Sequence, residues 1–395
     1  MGKGRLLGWF VALVLVACAA LALPPQLGIW AEAPSAADQT RTVFLPVGSR
    51  NARPPHLGYG AGLAGADHAT TLAAMGFDWA KGMYSLNYLS DQHRYGDVDN
   101  QLRAFLNAGV RRALLRLDAA VPPASAADLA AFQAACQDLA AHVASEWRPA
   151  GLAAVAYEIW NEPNLDYEWK GGTPDPGRYV AVLQAAYRGI KAADPAAMVV
   201  SAGLATTGSS ATTFAAAAPP LGEAAVYMDD LEFIRGMYRA GAKGYFDALG
   251  SHPYGGYAAP EEKRGPLYFR RAEEQHAVMA EFGDGDTPIW ATEFGWITDA
   301  GGCDLGEHQP YQVSPTVQAD YLVRAFRYAD ANWPWMGAMF VFNLDFGVAP
   351  WYAYCDPVRW YSLTYREDPE QQDAPILQRP AVAALAAMPK HARSW

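Results

Sequence analysis

Eight short apolar runs recur along the chain, near residues 56–61, 78–84, 112–118, 153–161, 197–203, 247–252, 287–293 and 337–343. Helical patterns at 97–108, 125–147, 176–193, 229–241 and 315–331 fall between them. A strand that returns parallel to its predecessor needs a crossover of a dozen or more residues, usually a helix, so this alternation dictates a parallel α/β architecture. Eight strands with crossovers favour closure over an open sheet. The expectation is a (β/α)8 TIM barrel formed by one domain over 56–395. The Ala-rich segment from Ile376 to Met388 would supply the eighth helix, and residues 204–228, rich in Ala, Thr, Ser, Gly and Pro, read as a loop inserted after the fifth strand.

With 51% apolar and 18% charged residues among 395, the chain can bury a large core. Its net charge of -11 offers no electrostatic footprint for a polyanion, so nucleic acid is excluded as an expected partner. Lys3 and Arg5 precede an uncharged run from Leu6 to Leu23 and then Pro24 and Pro25, the pattern of a signal peptide or membrane anchor over 1–33. Ala31-Glu32-Ala33 is a cleavage candidate, and Leu15-Val16-Ala17-Cys18 resembles a lipobox that would lipidate Cys18. Residues 34–55 read as a linker. The expected location is extracytoplasmic, either secreted or anchored at the cell surface, with membrane attachment through the N-terminal segment left open.

Export implies an oxidising compartment. Cys136 falls on the apolar stripe Leu129, Phe132, Cys136, Leu139, Val143 and is expected as a buried free thiol. Cys303 and Cys355 lie in loops rich in Gly, Asp and Tyr and are expected to form a disulfide. No Cys-x-x-Cys or clustered Cys/His set supports a metal, and no cofactor is expected. Gly60-Ala61-Gly62-Leu63-Ala64-Gly65 matches a dinucleotide-binding pattern, but neither the strand before it nor an acid at the required distance after it supports that use.

The fourth apolar run ends in Tyr157-Glu158-Ile159-Trp160-Asn161-Glu162-Pro163-Asn164. Pro163 cannot continue a sheet ladder, so Glu162 sits at a strand tip, where barrels carry their active sites. This segment resembles the strand 4 motif of the large clan A of retaining glycoside hydrolases on barrels, and most closely the family 39 β-xylosidases and related cellulase-like proteins. The resemblance implies that Glu162 is the general acid/base and that Asn161 binds the sugar 2-hydroxyl. Glu158 shares strand parity with Glu162 but lies deeper, and reads as a buried structural acid.

Thr287-Pro288-Ile289-Trp290-Ala291-Thr292-Glu293-Phe294-Gly295-Trp296 again runs apolar into an acid. Alternation would place Ile289, Ala291 and Glu293 on one face, aiming the acid into the barrel mouth. The segment resembles the clan's strand 7 motif, which implies that Glu293 is the nucleophile. Retaining enzymes hold their two carboxyl groups about 5 to 5.5 Å apart, inverting ones about 6.5 to 9.5 Å. Glu162 is then expected protonated at rest and Glu293 ionised, with Glu162 turning from acid to base once the charge of Glu293 has been consumed.

Ser251-His252-Pro253-Tyr254 ends the sixth run, and the resemblance implies that the Tyr254 hydroxyl lies near the nucleophile with His252 beside it. Arg116 and Asp118 end the third run, either as a pair on the barrel floor or as a substrate contact. Many clan members carry a Trp on strand 8 as the floor of the sugar subsite. Here the strand reads Met339-Phe340-Val341-Phe342-Asn343-Leu344-Asp345, so Asn343 is the polar candidate, and Trp296, with Trp351, Trp360 or Trp169, is a candidate substitute ring. The expected activity is hydrolysis of β-linked poly- or oligosaccharides by double displacement. The competing reading is a surface carbohydrate-binding protein on a decayed glycosidase barrel.

Overall fold

The computed structural model describes residues 57–65, 68–90, 95–170, 172–207, 226–368, 371 and 373–390. The expected leader, Cys18, the 34–55 linker and most of the 204–228 insertion lie outside them. Eight parallel strands close in chain order: β1 (Gly58–Gly62), β2 (Trp79–Ser85), β3 (Arg112–Asp118), β4 (Ala154–Asn161), β5 (Met198–Ala205), β6 (Leu249–His252), β7 (Ile289–Phe294) and β8 (Met336–Val341). β8 returns to β1 with Met339 opposite Tyr59, which completes the (β/α)8 barrel.

The crossovers are α1 (Ala69–Ala74), α2 (Gly96–Asn107), α3 (Ala126–Glu146), α4 (Pro176–Ala193), α5 (Asp230–Arg239), α6 (Arg271–Glu281) and α7 (Pro315–Asn332). Their starts follow local chemistry. Ser125 and Asp128 form a capping box at α3, while Asp175 caps α4 and Ser314 caps α7, each just before a proline whose fixed φ suits the first helical turn. No helix among the described residues is long and apolar enough to cross a membrane.

The C-terminal segment departs from the single helix expected over 376–388. After α8 (Pro357–Tyr361) come β9 (Thr364–Arg366) and β10 (Ile376–Gln378), which pair antiparallel, and only then α9 (Pro380–Ala387). Pro380 holds Arg379 extended, at φ -70° and ψ 158°, so the helix cannot begin earlier.

Inside the barrel, Trp79, Trp290 and Phe340 pack against Leu114 and Val200, with Ala156, Ala248 and Ala338 leaving room for the rings. The two indoles meet edge to face at 5.0 Å between centroids. Truncating one such buried aromatic costs roughly 3–5 kcal/mol. Phe340 also explains Gly60, where a Cβ would stand 2.4 Å from its ring. The Gly-x-Gly run is thus a close packing of β1 against β8, not a phosphate loop. Cys136 is a buried free thiol among the residues between barrel and helices.

Candidate active site

The C-terminal end of β4 breaks its own alternation. Ala156 belongs to the barrel interior, and Glu158 follows it inward, so a regular strand would bring Trp160 in next. Instead Trp160 adopts φ 75° and joins the outer layer, packing on Trp169 and donating its Nε1–H to the Glu168 carbonyl at 2.9 Å. Asn161 and Glu162 take the mouth of the barrel, Glu162 at φ 39°. Such conformations cost on the order of 1–3 kcal/mol at a non-glycine residue and persist only where the surroundings over-determine them. Here Glu162 N–H donates to Gly203 O (3.0 Å), and the Asn164 side chain donates to Ala205 O and Met228 O while accepting from Ala205 N–H.

The simple alternation expected for β7 is overturned. Trp290 is the residue inside the barrel, and Ile289 and Ala291 pack outward against the helices. Ala291 pairs with Met339 but Phe294 pairs with Val341, so β7 carries one extra residue between them. This bulge turns Glu293 into the mouth, which the pleat alone would not do.

Behind the two acids lies a buried set of charges. Lys81, on β2, holds Glu293 Oε1 at 3.0 Å and Glu158 Oε2 at 2.8 Å, and donates to the Thr292 carbonyl at 3.2 Å. His252 Nδ1–H donates to Glu162 Oε1 at 2.8 Å, and the same nitrogen stands 3.7 Å from Glu293 Oε2. Its Nε2 faces Glu158 Oε1 at 3.7 Å. The Tyr254 hydroxyl donates to Glu293 Oε2 at 2.8 Å. Because both distances are measured from one His252 nitrogen, Glu162 Oε1 and Glu293 Oε2 are separated by no more than their sum, 6.5 Å. Gly203 makes room for the imidazole, since a Cβ there would lie 2.1 Å from His252 Nε2.

The electrostatics favour a charged Glu293. Burial opposes its ionisation, but His252, Lys81 and Arg116 outweigh that and hold its carboxyl below the usual range. Glu158 is depressed further: Lys81 and His252 overcome complete burial. For His252, burial works against the proton, yet Glu293, Glu158 and Glu162 raise the imidazole to about 9. Burial, together with Glu293 and Glu162, pushes Tyr254 well above the ordinary phenol range, so it remains a donor. Arg116 is raised despite burial by Glu293, Asp118, Glu158 and Glu168.

A cavity of about 430 Å³ opens over these groups, lined by Asn161, Glu162, Tyr254, Glu293 and Arg116. Its size falls within the range of small-molecule sites, roughly 300–1,000 Å³. Tyr311, Phe342, Phe346, Tyr352 and Tyr361 add aromatic surface. The ring from strand 8 is therefore Phe342. None of the four tryptophans considered as substitutes lines the cavity. Trp296 is 1% exposed and donates to Ala258 O, Trp169 is buried against Trp160, Trp360 donates to Tyr354 O, and Trp351 lies exposed elsewhere. Asn343 is likewise buried, donating to Val358 O and accepting from Phe346 N–H, and is a strut of the loop after β8. Arg116 faces the cavity, and its one ion pair among the described residues is a long one, 3.5 Å, to Asp118. The Cys303–Cys355 disulfide ties the loops after β7 and β8. No cluster of potential metal ligands occurs among the described residues.

No protein-family model matches the chain, and no curated protein is similar to it in sequence. Solved structures share its fold. A glucosidase from Croceicoccus marinus superposes with a TM-score of 0.59 at 14% identity, over 84% of this chain and 67% of that one. A GH39 β-xylosidase from Caulobacter crescentus gives 0.54 at 16% identity, over 84% and 70%. At such identities the likeness establishes the (β/α)8 barrel common to these glycosidases.

Proposed function

We propose that the protein is a retaining glycoside hydrolase acting on β-linked poly- or oligosaccharides outside the cytoplasm, with Glu293 as nucleophile and Glu162 as general acid/base. The observation that carries this reading is the pair itself. Two carboxylates from strand ends β4 and β7 face one cavity, with Glu162 Oε1 and Glu293 Oε2 no more than 6.5 Å apart, close enough to flank a single glycosidic bond. Their environments differ as the two roles require. Lys81 and Tyr254 act on Glu293 and keep it an anion ready to attack the anomeric carbon, whereas among the described residues only His252 lies at hydrogen-bond distance from the Glu162 carboxyl, and the proton for the leaving group is drawn from that pair. When the covalent bond to Glu293 forms, its charge is consumed, and the Glu162–His252 pair then accepts a proton from the incoming water.

Asn161 supports sugar binding. Its buried Oδ1 has no hydrogen-bond partner among the described residues and is placed to accept from a substrate hydroxyl. The glucosidase and β-xylosidase that share the fold agree with a carbohydrate substrate, and the disulfide agrees with an oxidising location.

The test is a panel of aryl β-glycosides, followed by trapping with the 2-deoxy-2-fluoro analogue of whichever sugar is cleaved and peptide mapping of the adduct. An adduct on Glu293 and a product of retained anomeric configuration are expected. Labelling of another residue, or an inverted product, refutes the assignment.

A further inference from the structure

A second cavity, of about 230 Å³, lies apart from the catalytic one, between the loop after β8 and the β9–β10 hairpin. Arg359, Arg366 and Arg379 all line it, together with Trp360 and Tyr365. On a chain of net charge -11, three guanidinium groups converging on so small a space call for a reason.

Their partners are the more telling feature. Arg359 is buried and, among the described residues, donates only to main-chain carbonyls, to Gly347 O at 2.7 Å, Tyr352 O at 2.9 Å and Ala349 O at 3.4 Å. Arg379 is also buried. It donates from Nε to Ser362 O at 2.9 Å, and its guanidinium is held between the rings of Trp360 and Tyr365, at 5.5 and 4.9 Å from their centroids. Arg366 donates from Nη1 to Ala374 O at 3.1 Å. Carbonyl oxygens satisfy donors but carry no net charge. Among the described residues no carboxylate forms an ion pair with any of the three, and Glu367, the acid at the rim, is exposed to solvent.

A buried cation without a counter-charge is expensive. Burial lowers the proton affinity of both Arg359 and Arg379; at Arg359 the charge of Asp356, with which it forms no ion pair, opposes this and Arg366 adds to it. The two flanking rings fix the plane of the Arg379 guanidinium and leave its paired Nη groups without an acceptor among the described residues, on the side of a cavity it lines. A planar fork of this kind matches the two oxygens of a carboxylate or phosphate group.

We propose that this cavity is an oxyanion-binding site, distinct from the catalytic centre, which takes a small carboxylate- or phosphate-bearing ligand on Arg379 with Arg366 completing the charge. Arg359 sets the floor and lends charge rather than hydrogen bonds, since its donors already serve the main chain. The aromatic faces orient Arg379 and are not available to stack on a sugar ring. Ligand size is limited because the space is smaller than that of drug-sized sites, which run from roughly 300 Å³ upward.

The test uses the whole chain, titrated separately with inorganic phosphate and with succinate at an ionic strength held constant by sodium chloride. Thermal midpoint and tryptophan fluorescence are followed, the latter because Trp360 abuts Arg379. A saturable response to at least one anion is expected, weakened roughly tenfold or more in Arg379→Gln and in Arg366→Gln, the loss of one charge-assisted hydrogen-bond pair. Arg366→Gln is included because its side chain is only partly buried and the variant is expected to fold even where Arg379→Gln does not. Response to phosphate alone assigns a phosphate ligand, response to succinate alone a carboxylate, and response to both a site that reads the shared oxyanion geometry. No response beyond the chloride control, or an equal response in Arg366→Gln and the unaltered chain, overturns the proposal. Neither outcome touches the glycosidase reading, which rests on Glu162 and Glu293.

Discussion

Replacing Lys81 by Met keeps the length of the side chain and removes its charge from between two buried carboxylates. At the 3.0 Å that separates Lys81 Nζ from Glu293 Oε1, an effective dielectric of about 20 gives an attraction on the order of 5 kcal/mol, and Glu158 is held as closely on the other side. That figure is a ceiling, because desolvation of the lysine has already been set against it. Breaking one partner out of a buried ion pair typically destabilises by roughly 3–5 kcal/mol, and that loss is expected here at neutral pH. The kinetic consequence has a defined sign. Glu293 is held ionised below the usual carboxylate range, so removing one of the responsible cations moves its titration upward, and the acid limb of the kcat/KM profile on a cleaved aryl β-glycoside shifts to higher pH. Pairing the change with Glu158→Gln removes the carboxylate left stranded, and Glu293 then keeps His252 and Arg116 as the cations that hold it ionised. The double variant should therefore be more stable than the two single losses added together, by roughly 1–3 kcal/mol in a denaturant-unfolding cycle. Additivity within about 0.5 kcal/mol, or an acid limb that stays where it was, would refute the charge-balance account.

Three further outcomes follow from the same geometry. Tyr254→Phe deletes a single charge-assisted hydrogen bond to Glu293, worth roughly 1.5–3 kcal/mol, so kcat/KM should fall about 10- to 100-fold with the fold intact by circular dichroism. His252 is raised from 6.5 to about 9, so its contribution to stability is fully present below 6.5 and lost as the pH climbs through 9; unfolding midpoints should show that alkaline decline, and His252→Asn should abolish it. The Cys303–Cys355 bond closes a separation of 52 residues, and on the chain-entropy account the double Ser variant should lose about 4 kcal/mol toward denaturant while the unaltered chain loses the same on reduction.

Much of the fold could be read before any coordinates. β3 and α4 occupy the spans assigned from periodicity, because an apolar run bounded by polar turns and a helix opened by Asp175-Pro176 carry their signals locally. Lys81 was missed, although a signal existed. It stands alone in Trp79-Ala80-Lys81-Gly82-Met83, and alternation puts it on the same face as Trp79, inside the barrel. A lysine there has to meet a carboxylate, because an ammonium group is almost never fully buried unless paired. What could not be read was which carboxylate, since Glu158 and Glu293 come from strands far along the chain. Trp296 and Asn343 illustrate the opposite failure. Each follows a strand end and carries a plausible chemistry for sugar binding, but both have their polar atoms engaged by main-chain groups more than a dozen residues away or across a local loop turn.

The two catalytic candidates sit where the period of two breaks down, and the barrel interior shows why it has to. Continued regularly, β4 would place the indole of Trp160 above Glu158, and β7 would place Thr292 above Trp290, so the mouth would be filled from one side and lack a carboxylate on the other. The positive φ at Trp160 exchanges the indole for Asn161 and Glu162, and the extra residue in β7 brings Glu293 in beside Thr292. Both departures carry a local conformational cost that the packed core beneath them, with Trp79, Trp290 and Phe340 interlocked, is able to sustain. Period-two reasoning thus located the strands correctly and misdirected the side chains at their ends, where local rules are expected to fail in favour of a site. The extra residue thus restores the parity that the length of the segment would otherwise break: deleting Thr292 leaves Glu293 two residues after the inward Trp290, so a bulge-free β7 should still turn its carboxylate to the cavity and form the covalent adduct with a fluorosugar, and a folded variant that forms none would refute this account.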